Sequence, residues 1–572
     1  MKPILFSLII LAAAVGAGSL SHTDDSGQKI NRRANAYSGR MVISCSPLMS
    51  YVPTDFLMTP IDVKENIGTI NFSITTAEAD AQVFFNQGMA FLYSFEYVQA
   101  ARSFYTALAK DSNAAMVYWG LSQAYGRLDD STVSREMAAS AMSKMQATKP
   151  EEQMMIRIQS QSVQPAHDSL AIGFMRVALQ SLADSANKNF PANAEMWAFT
   201  GILRAFGDIG PGDESYRQSS RHAIDDYLLK ALEVNPTHFG VWHYLIHFNE
   251  ANSDFNKALS YGQLYTKAAP QVAHAWHMYA HDLMKTGRVT EAIEKFNHAF
   301  DLEQQKYISE KMPARYDWHH SHNMELLAYC YQYQGKYKDA ERVFSVLDTL
   351  TAITVADESL IRKGHCYFYL NNGQPARAKA LAMPLINSPE DENHFTGHFI
   401  AGLADLFSSD EESAMNHYNQ MIHLADSMRD ESIVKGRPGD LASEDFGYLY
   451  AKAGIVQMGA GLMRNPGDTL MIAKMNSIQK TLLKQTGPDP WIDALYFLQL
   501  LTELSIKAGN LDLAEHSARN MMLHDPGYPG AFMMMARIKN KQGDRKQAQS
   551  WLAKAKTGYK QADPEFRKAI KL

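Results

Sequence analysis

Ten of the chain's 20 histidines fall between His238 and His322, a window of 85 residues out of 572, where an even spread would place about three. Their spacing is regular. His243 and His247 are four residues apart, as are His277 and His281, and the second pair repeats the first after 34 residues. Residues i and i+4 share one face of a helix, so each pair presents two imidazoles side by side. Imidazole suits zinc, copper, iron and nickel, and a nitrogen-rich shell disfavours the oxygen-seeking magnesium and calcium ions. Glu250, His274, His319, His320 and His322 lie around the two pairs and are candidates for additional or supporting ligands. The expectation is a transition-metal site, copper or zinc, centred on His243, His247, His277 and His281. One HxxxH is a weak signal. Two in register, followed by His319-His320-Ser321-His322, are rarely produced by chance. Two plainer readings stand beside it: polar groove residues that bind an acidic or aromatic peptide segment, or packing histidines satisfied by backbone groups. The second suits His238 and His298.

The elements that must position these side chains are helices. From Ala79 onward apolar residues recur at helical spacing. With Gly287 as a turn, Trp276, Tyr279, Ala280 and Leu283 form the packing face of one helix. Ala292, Phe296 and Ala299 supply a small–large–small series on the next. The small residues let paired helices approach closely and the large ones fill the space between pairs. The pattern recurs at Gly88, Ala100, Phe104 and Ala107; at Trp119-Gly120; at Trp197 and Gly201; at Trp242, Ala258 and Pro270; and at Gly335, Ala340 and Phe344. It returns at Gly509, Ala514 and Pro526, then 34 residues later at Gly543, Ala548, Leu552 and Ala555. A 34-residue unit of this composition resembles the tetratricopeptide repeat (TPR) family. The fold class expected is all-α, a right-handed superhelical solenoid of TPR-like helix pairs, roughly ten of them.

The succession FFNQGMAFLYSFEYVQAARSF, HYLIH with a glutamate, HAWHMYAH and HSHN is similar to a group of long secreted bacterial TPR proteins. That likeness implies fold and compartment, and no activity. The family resemblance also implies that the second, fifth, ninth and twelfth positions of each first helix line a concave groove. His243, His247 and Glu250 take the last three of these in one unit. His274, His277 and His281 take the first three in the next, and His322 the second in the one after. An unidentified protein or peptide bound in that groove without metal is the alternative function.

At the N-terminus Lys2, an apolar run from Ile4 to Val15 and the small residues up to Ser19 read as a signal peptide over 1–20, hence export to a periplasmic or extracellular location. Residues 21–66 read as a disordered lead-in. A first block of repeats is expected over 67–430, and Gly436, Pro438 and Gly439 mark off a C-terminal block over 431–572. Ile70, Phe72 and Ile74 alternate with polar residues, as in an extended segment laid on the first repeat. No second long apolar run follows, so no transmembrane segment is expected in the mature chain. A net charge of −6 with interspersed signs excludes the basic stripe of nucleic-acid binders. Cys45, Cys330 and Cys366 are too few for a disulfide framework. The chain lacks CxxCH, HExxH, GxSxG and a phosphate-binding GxxxxGK[ST], so catalysis is disfavoured. A metal-dependent reaction at the histidines is the one route left to it.

Overall fold

The computed structural model describes residues 19–23, 29–33, 52–165, 169–205, 226–350, 355–389, 391–434, 443–485 and 487–571. Apart from a short antiparallel hairpin, Ser19–Thr23 with Lys29–Arg33, these residues form an all-α chain of consecutively packed helices. The expectations for the signal peptide up to residue 18 and for Cys45 fall outside the described residues.

Two compact units make up the chain. One spans Arg40–Thr286 with Glu294–Asn323, and the other spans Gly287–Ile293 with Met324–Leu572 and the first 39 residues. The division therefore falls between 287 and 324, not near 431. Helices Glu411–Val434 and Ser443–Arg464 pack on each other across that expected boundary, with Arg429 Nη1 donating to the Tyr450 hydroxyl at 2.8 Å.

Along the chain, α1 (Thr54–Leu57) precedes the helix pairs α2 (Ala79–Tyr93) and α3 (Tyr97–Lys110), then α4 (Ala115–Arg127) and α5 (Ser131–Lys144). After α6 (Pro150–Ser162), α7 (Ser169–Asn189), α8 (Ala194–Ala205) and α9 (226–234) come α10 (Phe239–Ala251), α11 (Phe255–Ala268), α12 (Ala273–Lys285), α13 (Val289–Glu310) and α14 (Trp318–Tyr333). The small–large–small residues of the sequence pattern are the helix contacts: Ala100, Phe104, Ala107, Ala292, Phe296 and Ala299 are all fully buried. A Cβ added at Gly88 or at Gly120 would meet the Phe104 ring, so one aromatic side chain needs both glycines.

The turn inside a pair needs one residue with positive φ. Gly287 (φ 80°), Gly335 (72°), Gly373 (67°), Gly509 (81°) and Gly543 (84°) provide it, as glycine does without steric cost. In the first pair the same place is taken by Phe95, at φ 60°. A large side chain in the left-handed region is held there only by its surroundings.

Residues 52–66, placed in the lead-in by composition, lie against the first helix pair. The Ile61 amide donates to Thr106 Oγ1 at 3.2 Å and the Lys64 amide to Gln87 Oε1 at 2.7 Å. Apolar residues one at a time (Val52, Leu57, Ile61, Ile67) fasten this segment, too sparse a series to show a period. Ile70, Phe72 and Ile74 are buried as the alternation requires.

The first pair also lies against α10 and the end of α13. Arg102 Nη1 meets Glu310 Oε2 at 2.7 Å, and Lys306 Nζ bridges Glu96 Oε2 (2.6 Å) and Asp317 Oδ2 (2.7 Å). A Cβ on Gly240 would come within 2.5 Å of Tyr93 Cγ. Gly240→Ala should therefore cost about 1–3 kcal/mol of overpacking, against at most about 1 kcal/mol returned by better helix propensity. A lower urea midpoint with unchanged slope is the expected result. A raised midpoint would mean that α2 does not press on α10.

Candidate metal centre

Each candidate histidine is carried by a helix start or a helix face that the surrounding sequence fixes. His238 caps α10 through its side chain, which accepts from the Val241 amide, and its Nε2 lies 3.3 Å from Glu195 Oε1. Helix α10 then presents His243, His247 and Glu250. Helix α12 presents His274, His277 and His281. Asp317 Oδ1 accepts from the His319 amide at 3.1 Å at the start of α14, which presents His319, His320 and His322. His298 meets the edge of the Trp276 ring, as a packing residue.

The four central histidines do not converge on one point. His243, His247 and His274 form one group of ligand atoms, and His277, His281 and His322 a second; within each group the atoms lie within 4.8 Å of one another. Neither group lines an open groove. His243, His247, His274, His277 and His281 are 0–1 % exposed. The cover over the first group is the turn between α2 and α3. Phe95 packs its ring against His243, His247 and His274 at centroid distances of 4.5, 5.5 and 5.2 Å. Groove exposure was an expectation drawn from regular stacking, and the return of the first pair onto α10 overrides it.

The hydrogen-bond partners fix which nitrogen of each ring carries the proton. His243 Nδ1 lies 2.6 Å from the Tyr93 carbonyl oxygen, which can only accept, so Nδ1 bears the hydrogen and Nε2 a bare lone pair. His247 Nδ1 faces Glu250 Oε2 at 3.4 Å, and His281 Nδ1 faces Glu250 Oε1 at 3.5 Å. Asn323 Nδ2 donates to the Phe296 carbonyl, which turns Asn323 Oδ1 to His277 Nδ1 at 3.1 Å. One carbonyl and one amide thus set Nδ1–H tautomers on His243 and His277, and the Glu250 carboxylate stands at ion-pair distance from His247 and His281.

The consequence appears at the other nitrogens. His243 Nε2 lies 3.1 Å from His247 Nε2 and 2.9 Å from His274 Nε2. The bare His243 Nε2 thus sits between two further imidazole nitrogens at hydrogen-bond distance. Zinc–nitrogen bonds of about 2.0–2.1 Å at tetrahedral angles would separate ligand nitrogens by about 3.3 Å. The spacing suits a shared cation. Imidazoles that ligate metals ordinarily give their other N–H to a carboxylate or carbonyl, the arrangement found here.

His320 stays outside both groups. Its Nδ1 lies 2.6 Å from Glu303 Oε2, while Glu303 Oε1 lies 2.7 Å from His319 Nδ1. The His320 ring stacks on Phe300. His319 touches both groups edge-on, with centroids 4.7 Å from His274 and 4.3 Å from His277.

Glu303, Asn323, Asp282, Tyr93 and Phe95 are the participants that histidine spacing does not reveal. Asp282 follows His281 in sequence, is fully buried, and has no hydrogen-bond partner among the described residues. Burial, and then the Glu250 charge, raise its carboxyl well above the ordinary range. Burial opposes ionisation of Glu250 and Glu303 too, but their histidine partners outweigh it and hold both below the usual value. Burial lowers His243, His274 and His277, and neighbouring imidazoles lower them further; burial also lowers His319, against the opposing pull of Glu303 and Asp317. The thiols of Cys330 and Cys366 are buried in the other unit, and burial pushes Cys330 far up, out of reactive range.

No family model and no curated protein matches this sequence. Among solved structures, "YrrB: a TPR protein with an unusual peptide-binding site" matches at 15% identity over 41% of this chain and 90% of that one, with a TM-score of 0.16. A TM-score of that size carries no argument about this chain. No helix of the described residues is long and apolar enough to cross a membrane.

The four lowered histidines set a direction for acid stability. Their unfolded-state pKa is about 6.5 and their folded values lie below it, so the unfolded chain binds more protons once the pH falls under 6.5. Stability is complete above that value and declines below it, by up to about 1.4 kcal/mol per pH unit for each histidine. Glu250 and Glu303, whose folded values are depressed, add a further loss below their unfolded pKa of about 4.5. Urea midpoints measured with chelator should fall clearly from pH 7.5 to pH 5.5. Equal midpoints would show that these imidazoles are not buried neutral.

Proposed function

We propose that this chain binds a transition-metal ion, copper or zinc, in its buried histidine cluster, and that the repeats from α10 to α14 serve to hold it. The observation that carries the reading is the convergence on His243 Nε2, which lies 3.1 Å from His247 Nε2 and 2.9 Å from His274 Nε2 while His243 Nδ1 is committed to the Tyr93 carbonyl. A cation at that meeting point would take a lone pair from each ring and keep all three neutral. The nitrogen donors favour copper or zinc, and Glu250 and the Tyr93 carbonyl would act from behind the rings. Peptide binding by the same residues finds less support, because side chains 0–1 % exposed offer a peptide no surface. Export, expected from the first twenty residues, belongs to the same proposal.

The test is elemental analysis of protein purified without a histidine tag, together with its melting temperature. Stoichiometric metal, or a melting temperature raised by added copper or zinc, is expected, since an ion at 100 times its dissociation constant adds about 2.7 kcal/mol to the folded state. The double change His243→Ala with His247→Ala should remove that response. Metal-free protein whose melting temperature ignores both ions would contradict the reading.

A further inference from the structure

We infer that the cluster holds two metal ions, one in each histidine triad, in unlike environments and coupled through Glu250; this rests on the metal reading above. The ligand atoms separate into two groups of three nitrogens, and each residue belongs to one group alone. Three protein nitrogens make one ordinary first shell, as in many zinc sites with three protein ligands. Six imidazoles around a single ion would leave half of them without a bond.

Glu250 ties the two groups together. Its Oε2 faces His247 of the first triad and its Oε1 faces His281 of the second, at 3.4 and 3.5 Å. A single carboxylate thereby stands at ion-pair distance from a ligand of each ion. The surrounding charge agrees. Glu250 and Glu303 place two buried carboxylates against the imidazoles. A buried carboxylate is tolerated beside positive charge. Two cations at the triads would supply it.

The two places differ in access. All three residues of the first triad are buried, and the Phe95 ring lies across them. In the second triad His322 is partly exposed, with its ring stacked on Trp318. The second ion should therefore exchange with solvent, and the first should wait for the turn between α2 and α3 to open.

The experiment is titration of chelator-treated full-length protein with zinc and, separately, with copper, followed by stripping with chelator. Two equivalents should bind, and chelator should remove one quickly and one slowly. His322→Ala, a partly exposed position, should leave one slow equivalent. His247→Gln should leave one fast equivalent, with helicity unchanged in both. Glu250→Gln should weaken both equivalents by about 10–100-fold, the usual cost of losing an orienting partner. A single equivalent in the wild type, or loss of all metal from His322→Ala protein that retains its helicity, would overturn the two-ion arrangement and leave the metal reading standing. No binding at all would overturn both.

Discussion

Burying a neutral imidazole requires an acceptor for its one N–H and a use for its remaining lone pair, and the histidine-bearing unit is arranged around that requirement. The acceptors are Tyr93 O, Asn323 Oδ1 and the Glu303 carboxylate, with the Glu250 carboxylate at ion-pair distance from two more rings. Each arrives from a different part of the chain. Tyr93 comes with the first pair, Glu250 with α10, Glu303 with α13 and Asn323 with α14. Helix packing is thereby converted into ring orientation, and ring orientation into a set of converging lone pairs. Left alone, those lone pairs would repel one another in a dry volume where water cannot intervene.

The turn at Phe95 shows how far the fold is bent to this purpose. Corresponding turns elsewhere use glycine or the small polar Asp129, Ser253 and Ser409 at the same φ, and a phenylalanine there carries a backbone cost of about 1–2 kcal/mol. That cost is offset by burying the ring against three imidazoles, an apolar cover that also keeps solvent from the first triad. The ion pairs around Lys306 and Glu310 hold the same turn in place from the other side.

The helical pairs and most candidate ligands were legible from local pattern. A 34-residue period reports contacts between neighbouring repeats, so Gly287, Ala292, Phe296 and the two HxxxH pairs fell where the pattern placed them. It carries no information about contacts between distant repeats. The return of α2 and α3 onto α10 joins residues 150 apart, as at Tyr93 and His243. For that reason an open groove was expected where a covered cluster is found. Glu303 was invisible for a related reason, since it lies 16 residues before His319 on the preceding helix and no histidine spacing points to it. Asn323 and Asp282 each stand beside a candidate histidine in sequence, and a search for acceptors near the HxxxH pairs would have caught them. The division of four histidines into two groups depends on which rings His274 and His322 join, which only tertiary packing decides.

The most direct test of the central claim is anomalous diffraction at the copper or zinc edge from crystals of tag-free protein grown with the corresponding ion. The account predicts an anomalous peak bonded to the Nε2 atoms of His243 and His247, with Tyr93 O and Glu250 on the opposite nitrogens. Imidazoles hydrogen-bonded to one another through Nε2, with no anomalous density between them, would contradict it.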